Sequence, residues 1–453
     1  MLINSLSALS PNNWPFDREM LPQPVYLVGG SVRDALLKRK SDYLDLDFII
    51  LDQAVNIAKS IAKQYQAGFV VLDAERKIAR VVFQGTTVDF AEIEGNSLEE
   101  DLWRRDFTIN AIAYNPFNDE VIDLFNALKD LQDGIIRMVK SANLRDDPLR
   151  LLRAYRQAAQ LGFVISPETQ TAIREFAPLL TNVAAERVQT ELGYLLSHPQ
   201  GMFWIEKAWK DCLLSSYFST AGENWEIAKQ IDIVAEELGK NWSQLKDELA
   251  RGVRDTVKTS LLAIAKLAIL VNSDPEKAEV ELMGLKYSNA EIRSTIAVIK
   301  GLAKLSEIEI SQMSVRQQFF LFQEIGKNFP ALAVVGVGKG ISITEIDCLV
   351  KRYINPEDQV AHPTPLLNGN DLITVLKLPK SPIIGQLLTE IKIARAEGKI
   401  STKVEAIKLA EKLIQIKKEE GRGIEEGDRR QETGDRRKIT WGFAPPSNFE
   451  HPR

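Results

Sequence analysis

The chain has 453 residues, 45% hydrophobic and 26% charged, the balance of a soluble globular protein long enough for several cores. Its net charge of −5 excludes a global attraction for nucleic acid, so an RNA or DNA binder of this composition needs a local basic surface. Two cysteines, Cys212 and Cys348, without a C-x-x-C argue against a disulfide framework or a structural zinc site. No apolar run is long enough to span a membrane, and the start MLINSLSALSPNNWPF lacks the charge and apolar core of a signal peptide. A reducing cytosol is the expected setting.

The first strand signal is Val25–Val28, which ends on Gly29 and Gly30. Residues 31–40 read as a helical turn or two, with Val32, Ala35 and Leu36 on one side. Residues 44–51 read as a second strand. Asp45 and Asp47 lie two apart, so both carboxylates leave one face, while Leu46 and Phe48 leave the other and can be buried. Like charges on one face repel unless a cation sits between them. Asp42 is set aside because it does not alternate with Leu46 and Phe48 in this way. Residues 53–65 read as an amphipathic helix. Further strand signals follow in GFVVLD, ARVVFQ, TTVDFAEI, AIAYN and EVIDLF, so the first quarter is α/β. After Gly134 strand patterns nearly vanish and helical period dominates, from LRLLRAYRQAAQLGF to KVEAIKLAEKLIQIKKEE. The end, with GDRR twice and few apolar residues, reads as a low-complexity, unstructured tail.

Three clusters carry chemistry. Two glycines at a strand–helix junction let backbone approach a bulky anion, and the helix start adds free N–H groups. Arg33 can grip a phosphate oxygen, and Asp45 and Asp47 can hold Mg2+ together with substrate phosphates. Phosphate grip plus metal carboxylates is the kit for phosphoryl or nucleotidyl transfer. In the second cluster, EEDLWRRDFTINAIAYN, Arg105 can contact a triphosphate, and Asp106 and Asn110 can bond ribose hydroxyls. The plainer reading makes Asp106 a helix N-cap. In the third, RDDPLRLLRAYRQAAQLGF, Pro148 is placed at the first position of a helix with Asp147 before it. Arg150, Arg153 and Arg156 recur every three residues as a basic face. Asp147 and Arg150 can project side by side, an acceptor next to a donor. That pair matches the Watson–Crick edges of cytosine and adenine and opposes those of uracil and guanine, a discrimination of about 1–3 kcal/mol per good bidentate contact.

In this order the clusters resemble the class II tRNA nucleotidyltransferase / poly(A) polymerase family, the CCA-adding enzymes and their relatives. The matching strings are GGSVRD…DLD, RRDFTINAIA, IDLF…DLQDGIIR, DDPLRLLRAYR and ERVQTEL, with a weaker match near LLNGNDLI…IIGQLLTEIKIARAEGKI. The resemblance implies an α+β head of polymerase-β-type nucleotidyltransferase fold followed by an all-α neck, body and tail. It divides the chain into an N-terminal extension (1–24), a head (25–140), a neck (141–200), an RNA-binding body and tail (201–415) and the low-complexity end (416–453). It implies that Asp45 and Asp47 carry Mg2+ and that Gly30 and Arg33 hold the triphosphate. Arg105, Asp106 and Asn110 would line sugar and phosphates, and Asp147, Arg150, Arg153 and Arg156 would face base and triphosphate. The implied partners are tRNA, CTP and ATP, with Lys392, Arg395 and Lys399 among the residues touching the tRNA backbone. Members that add the terminal A carry a polar flexible loop between the D-x-D strand and R-R-D; here VDFAEIEGNSLEEDLWRRD leaves little room for one. That points to the CC-adding branch. The alternatives are full CCA addition, a poly(A) polymerase or A-adding enzyme, and an inactive RNA-binding protein.

Overall fold

The computed structural model describes residues 8–39, 43–254 and 257–428, so Asp42 lies outside the described residues. The chain divides into two compact units, residues 1–312 with 324–350 and residues 313–323 with 351–453. Head, neck and most of the body therefore share one unit, and neither 140 nor 200 separates compact parts.

The first unit begins with strands β1 (Val25–Val28), β2 (Leu44–Ile50), β3 (Gly68–Asp73), β4 (Ile78–Phe83), β5 (Thr86–Glu92), β6 (Ile112–Asn115) and β7 (Glu120–Asp123). All seven signals in the sequence became strands of one sheet, in the order β3-β4-β5-β2-β1-β6-β7. β2 is parallel to β5, and every other neighbouring pair is antiparallel. Helices α1 (Gly30–Leu36), α2 (Ala54–Tyr65), α3 (Leu98–Trp103) and α4 (Ala127–Asp133) interleave with the strands.

The pleat decides which face does what. Leu46 and Phe48 of β2 share a face with Val88 and Phe90 of β5 and Ala79 and Val81 of β4, all buried. Here α2 brings Ala58, Ile61 and Ala62. Trp14 and Phe16, from the N-terminal extension, pack on the same face: Trp14 meets Phe48 edge-on at 4.9 Å between ring centroids, and Phe48 stacks on Phe90 at 5.5 Å. The extension is thus part of the head. On the opposite face the same strands read Asp45, Asp47, Ile49 and Thr87, Asp89, Ala91. α3 lays Leu98 and Leu102 over the apolar end of that face, against Val28, Ile49 and Ala113. Burying each leucine stabilises the packing by about 1.5–3 kcal/mol. The acidic end of the face is left open.

The neck helices are α5 (Ser141–Asp146), α6 (Leu149–Leu161), α7 (Pro167–Phe176) and α8 (Ala185–Ser197), followed by α9 (Gly201–Lys210) at the start of the body. Pro148 is the N-cap of α6 rather than its first residue, one position from the expectation. Short strands β8 (Ile135–Ile136) and β9 (Val164–Ile165) pair in parallel beside α6. The body adds α10 (Trp225–Asn241), α11 (Ser243–Ala250), α12 (Leu261–Leu270), α13 (Pro275–Gly284) and α14 (Asn289–Glu307), with a two-stranded β10 (Gly252–Arg254) and β11 (Val257–Ser260). Next come α15 (Val315–Ile325), most of which belongs to the second unit, and α16 (Phe329–Gly338) and α17 (Ile343–Ile354). α12 is apolar all round and buried by α10, α14 and α16. Its one charged residue, Lys266, is buried with all three donors engaged: Asp232 at 2.7 Å, the Leu196 carbonyl at 2.8 Å and the His198 carbonyl at 3.2 Å.

The second unit contains α18 (Gly369–Leu376), α19 (Pro382–Ala396) and α20 (Lys403–Asp428), packed around Leu372, Leu387, Ile391, Ala406 and Ala410. The helix α20 reaches Asp428, so residues 416–428 continue a helix where an unstructured tail was expected. Lys, Glu and Arg are good helix formers, and their charge alone does not end a helix. The remainder of the expected tail, with Trp441 and Phe443, lies outside the described residues. No helix among the described residues is long and apolar enough to cross a membrane.

Trp14→Ala should destabilise the head by about 3 kcal/mol, the usual cost of truncating a buried Trp. Denaturant unfolding followed by tryptophan-independent circular dichroism tests this; an unchanged midpoint would show that the extension is a passive strap.

Candidate active site

The open end of the sheet gathers three carboxylates. Asp45 and Asp47 lie on β2, and the parallel register sets Thr87 beside Asp45 and Asp89 beside Asp47. The Thr87 hydroxyl donates to Asp45. On the next strand Arg80 faces Asp89 and grips it through Nε and Nη2, both at 2.7 Å. Burial, then the charges of Asp45 and Asp89, push Asp47 up to about 6 from its ordinary 3.8. Arg105 and Arg80 work in the opposite direction without cancelling the rise.

The other flank of Asp47 is backbone. Gly29 follows β1 with φ +76° and ψ −142°, a conformation open to glycine. A Cβ at Gly29 would stand 3.1 Å from Asp47 Oδ2 and 3.6 Å from an Arg105 nitrogen. The bare turn thus brings main chain, carboxylate and guanidinium together. The Asp45 and Asp47 carboxylates supply oxygen donors, the chemistry of a hard divalent cation, and a cation would relieve the repulsion carried by Asp47. Among the described residues no group of three His, Cys, Asp or Glu is placed to hold a metal by itself. Asp45 and Asp47 could hold one, with substrate oxygens completing its shell.

The expected phosphate and sugar contacts form one buried network. Arg33 donates from Nη1 to Asn110 Oδ1 at 2.7 Å, and its Nε and Nη2 bind Asp34 at 2.9 and 3.0 Å. Asn110 Nδ2 donates to Asp106 at 2.9 Å and to Gln157 of α6 at 3.0 Å. Asp106 also accepts from the Phe107 N–H at 2.8 Å and from Arg153 Nε and Nη2 at 3.1 and 3.0 Å. It makes no N-cap bond to the turn 108–110. Burial would raise Asp106, but Arg153 and these donors outweigh it and hold the carboxyl below its usual range. Arg105 binds Asp101 at 2.9 Å and reaches the Asn110 carbonyl at 3.4 Å. Gly30 lies against Arg33.

Asp147 and Arg150 are neighbours, as their spacing suggested, with Arg150 Nε 3.8 Å from the carboxylate. Both are also held from elsewhere. Arg150 Nη1 donates to the Arg104 carbonyl at 2.7 Å, and Arg187 of α8 approaches both Asp147 oxygens at 3.3 Å. Asn143 ties α5 to the R-R-D turn through the carbonyls of Trp103 and Arg105, each at 2.8 Å. Arg156 is the exception: it pairs with Glu191 of α8 at 2.5 Å, binds Gln160 and lies over Tyr194, with no bond to the other candidates. In the second unit Arg395 donates to the Thr364 carbonyl and Lys399 pairs with Glu397.

Only residues 93–97 join β5 to α3. The connection is pinned. Ser97 caps α3 by accepting from the Glu100 N–H, Asn96 N–H donates to Glu100 at 2.8 Å, Glu94 N–H donates to Asp101 at 3.3 Å, and the Glu94 side chain pairs with Arg104.

Three family models match the chain: the poly A polymerase head domain over 25–137, an RNA- and SrmB-binding site of polymerase A over 162–220, and tRNA nucleotidyltransferase domain 2 over 255–410. A CC-adding tRNA nucleotidyltransferase of Synechocystis sp. is 49% identical over 409 residues, 88% of this chain and 96% of the relative. The chain belongs to the tRNA nucleotidyltransferase family. A CC-adding tRNA nucleotidyltransferase of Geobacter sulfurreducens is 29% identical over 391 residues, 84% of this chain and 90% of that one. A solved CCA-adding enzyme with ATP superposes with a TM-score of 0.68 at 22% identity, covering 87% of this chain and 91% of the other, a likeness of fold.

Sequence reasoning passed over several residues that this family member brings to the site: Asp89, Thr87 and Arg80 on the sheet, and Asn143, Gln157 and Arg187 in the neck. TTVDFAEI held a signal, since Thr87 and Asp89 alternate with Val88 and Phe90 just as Asp45 and Asp47 alternate with Leu46 and Phe48. The cross-strand partner Arg80 had none.

The raised pKa of Asp47 has a definite sign. The folded protein binds that proton more tightly than the unfolded chain, so this group removes stability as pH rises from 3.8 to about 6. Asp47→Asn should raise the melting temperature of the metal-free protein at neutral pH, and the gain should shrink as pH falls below about 6. Calorimetry across that range checks it; a loss of stability at pH 7 would contradict the repulsion.

Proposed function

We propose that the chain is a CC-adding tRNA nucleotidyltransferase that moves cytidylate from CTP to the 3′ end of tRNA. The observation that carries this reading is the pinned connection 93–97, on a chain nearly half identical to a CC-adding relative. A mobile loop at that point would gate the switch to ATP, and loops of this kind act by reshaping a pocket. Five residues tied at both ends leave no such loop.

In this reading the triphosphate lies along the Gly29–Gly30 turn, where a side chain would collide, with Arg105 and Arg33 as cations. Arg33 and Arg105 are already fixed by Asp34, Asn110 and Asp101, so little reorganisation accompanies binding. The tRNA 3′-oxygen attacks the α-phosphorus, the bond to the β-phosphate oxygen breaks, pyrophosphate leaves, and the hydroxyl proton passes to water. Mg2+ held by Asp45 and Asp47 would supply charge neutralisation on the phosphates and a lowered pKa for the attacking hydroxyl. Asp106 and Arg153 brace the sugar side through Asn110, and Arg156 steadies α6 against α8. Asp147 accepts the exocyclic amine of the base while Arg150 donates to the ring nitrogen. The head, residues 25–140, does the chemistry, the neck, 141–200, reads the base, and 201–415 holds tRNA. A cytoplasmic setting belongs to this reading.

Asp147 and Arg150 show cytosine and adenine the same acceptor–donor pair, so the pair alone does not exclude ATP. The missing loop does. Given tRNA ending before its CCA together with CTP and ATP, the purified protein should add two C residues and negligible A. Sequencing gel analysis of the products decides this, and efficient synthesis of CCA would overturn the loop argument. Asp147→Ala should admit UTP, narrowing the CTP-to-UTP ratio of kcat/KM about tenfold or more, the equivalent of one bidentate contact. A mutant that is slower but equally selective would leave Asp147 as a partner of Arg187 only.

A further inference from the structure

The sheet has two flanks about Asp47, and only one is used by the triphosphate. On the β1 side stand the Gly29 turn, where a Cβ would lie 3.1 Å from Asp47 Oδ2, and Arg105, with a nitrogen 3.6 Å from that same position. On the β5 side stand Thr87 and Asp89, and beyond them Arg80 on β4. The strand order β4-β5-β2-β1 makes these flanks opposite. In-line displacement at phosphorus places the attacking oxygen opposite the leaving pyrophosphate. If the triphosphate lies over β1, the 3′-hydroxyl must arrive over β5 and β4.

That flank is built for an anionic strand in an otherwise acidic place. Three carboxylates would repel an RNA backbone, and Arg80 is the cation set among them. Asp89 engages only Nε and Nη2 of Arg80, and among the described residues Nη1 has no hydrogen-bond partner. Its side chain is 36% exposed, whereas that of Asp89 is 16% exposed. The guanidinium is therefore anchored flat by one edge and open at the other, the arrangement that suits a phosphate oxygen. Past Arg80 the same face carries Val82 and, across the β3–β4 pairing, Val70, which are 42% and 45% exposed. No element covers them among the described residues. A ribose edge and base lie well on such an apolar ledge.

We propose that Arg80, held by Asp89, is a positioning residue for the acceptor RNA strand: it binds the phosphodiester just before the terminal ribose, with Val82 and Val70 beneath the terminal nucleotides. This rests on the nucleotidyl-transfer reading above. It assigns the two arginines that flank Asp47 to different substrates, Arg105 to the nucleotide and Arg80 to the RNA.

Steady-state kinetics with CTP and tRNA lacking its CCA end separate the roles. Arg80→Ala should raise KM for tRNA at least tenfold and leave KM for CTP within twofold. The slope of log affinity for tRNA against log salt should also become shallower by about 0.7, the value for one phosphate contact on a single strand. A purely structural role in the β4–β5 pairing would not change that slope. Arg80→Lys keeps the charge and should retain the slope with an intermediate KM, which covers the case in which the alanine variant folds poorly. An unchanged tRNA KM and slope, an equal rise in KM for CTP, or a lysine variant that loses the slope would each overturn the assignment. Wild-type protein that adds no nucleotide to tRNA would instead remove the functional reading, and this inference with it; wild-type activity with an indifferent Arg80→Ala removes the inference alone.

Discussion

Three like charges on one end of one sheet face are the constraint around which the head is arranged. They arise because β2 is parallel to β5 in a register that sets Asp47 beside Asp89 and Asp45 beside Thr87. Repulsion of this kind is tolerated only where cations and hydrogen-bond donors stand close. Arg80 and Arg105 supply the cations from opposite sides, and Thr87 supplies a donor. Burial and the neighbouring carboxylates still hold the Asp47 pKa above its ordinary value, which favours a bound proton or cation there. Gly29 follows from the same geometry, since any side chain there would press on the Asp47 carboxylate. So does the position of α3, which covers the apolar end of the face and stops where the carboxylates begin.

A second layer of polar groups links this end of the sheet to the neck. Arg33, Asn110, Asp106, Arg153 and Gln157 come from α1, the turn after R-R-D and α6, yet share one chain of hydrogen bonds. Buried polar networks are costly when partly satisfied and rigid when fully satisfied. Asp106 has bonds on both oxygens from four donors on three residues, Asn110, Phe107 and Arg153, and so leaves α6 little freedom relative to the turn. Asn143 and Arg150 add bonds from the neck to the main chain of the same turn. Side chains held in this way form a preformed electrostatic frame.

The connection after β5 is short and closed. Ser97, Asn96 and Glu94 close a short link against α3 with the ordinary chemistry of a helix cap and an ion pair. The link meets the site at Asp101, which accepts from the Glu94 N–H and also binds Arg105.

Much of the head was legible in the sequence because its signals are local. Strands of period two gave all seven members of the sheet, and the alternation of Asp45 and Asp47 with Leu46 and Phe48 assigned the faces correctly. The spacing of Asp147 and Arg150 predicted neighbours, and they are neighbours. Other assignments failed for physical reasons. The charged stretch at 416–428 is helical because composition reports solvation, not backbone preference. The arginines of α6 repeat every three residues, and from the sequence they form one basic face; in the fold each meets a different partner, the Arg104 carbonyl, Asp106 and Glu191. Asp106 is bonded within the protein to Asn110, Phe107 and Arg153. Sequence determined which side chains lie on which face of which element, since that depends on backbone period alone. Tertiary structure decided which charges meet, because Arg80 with Asp89, Arg187 with Asp147 and Asn110 with Gln157 are set by strand register and helix packing between residues far apart in the chain.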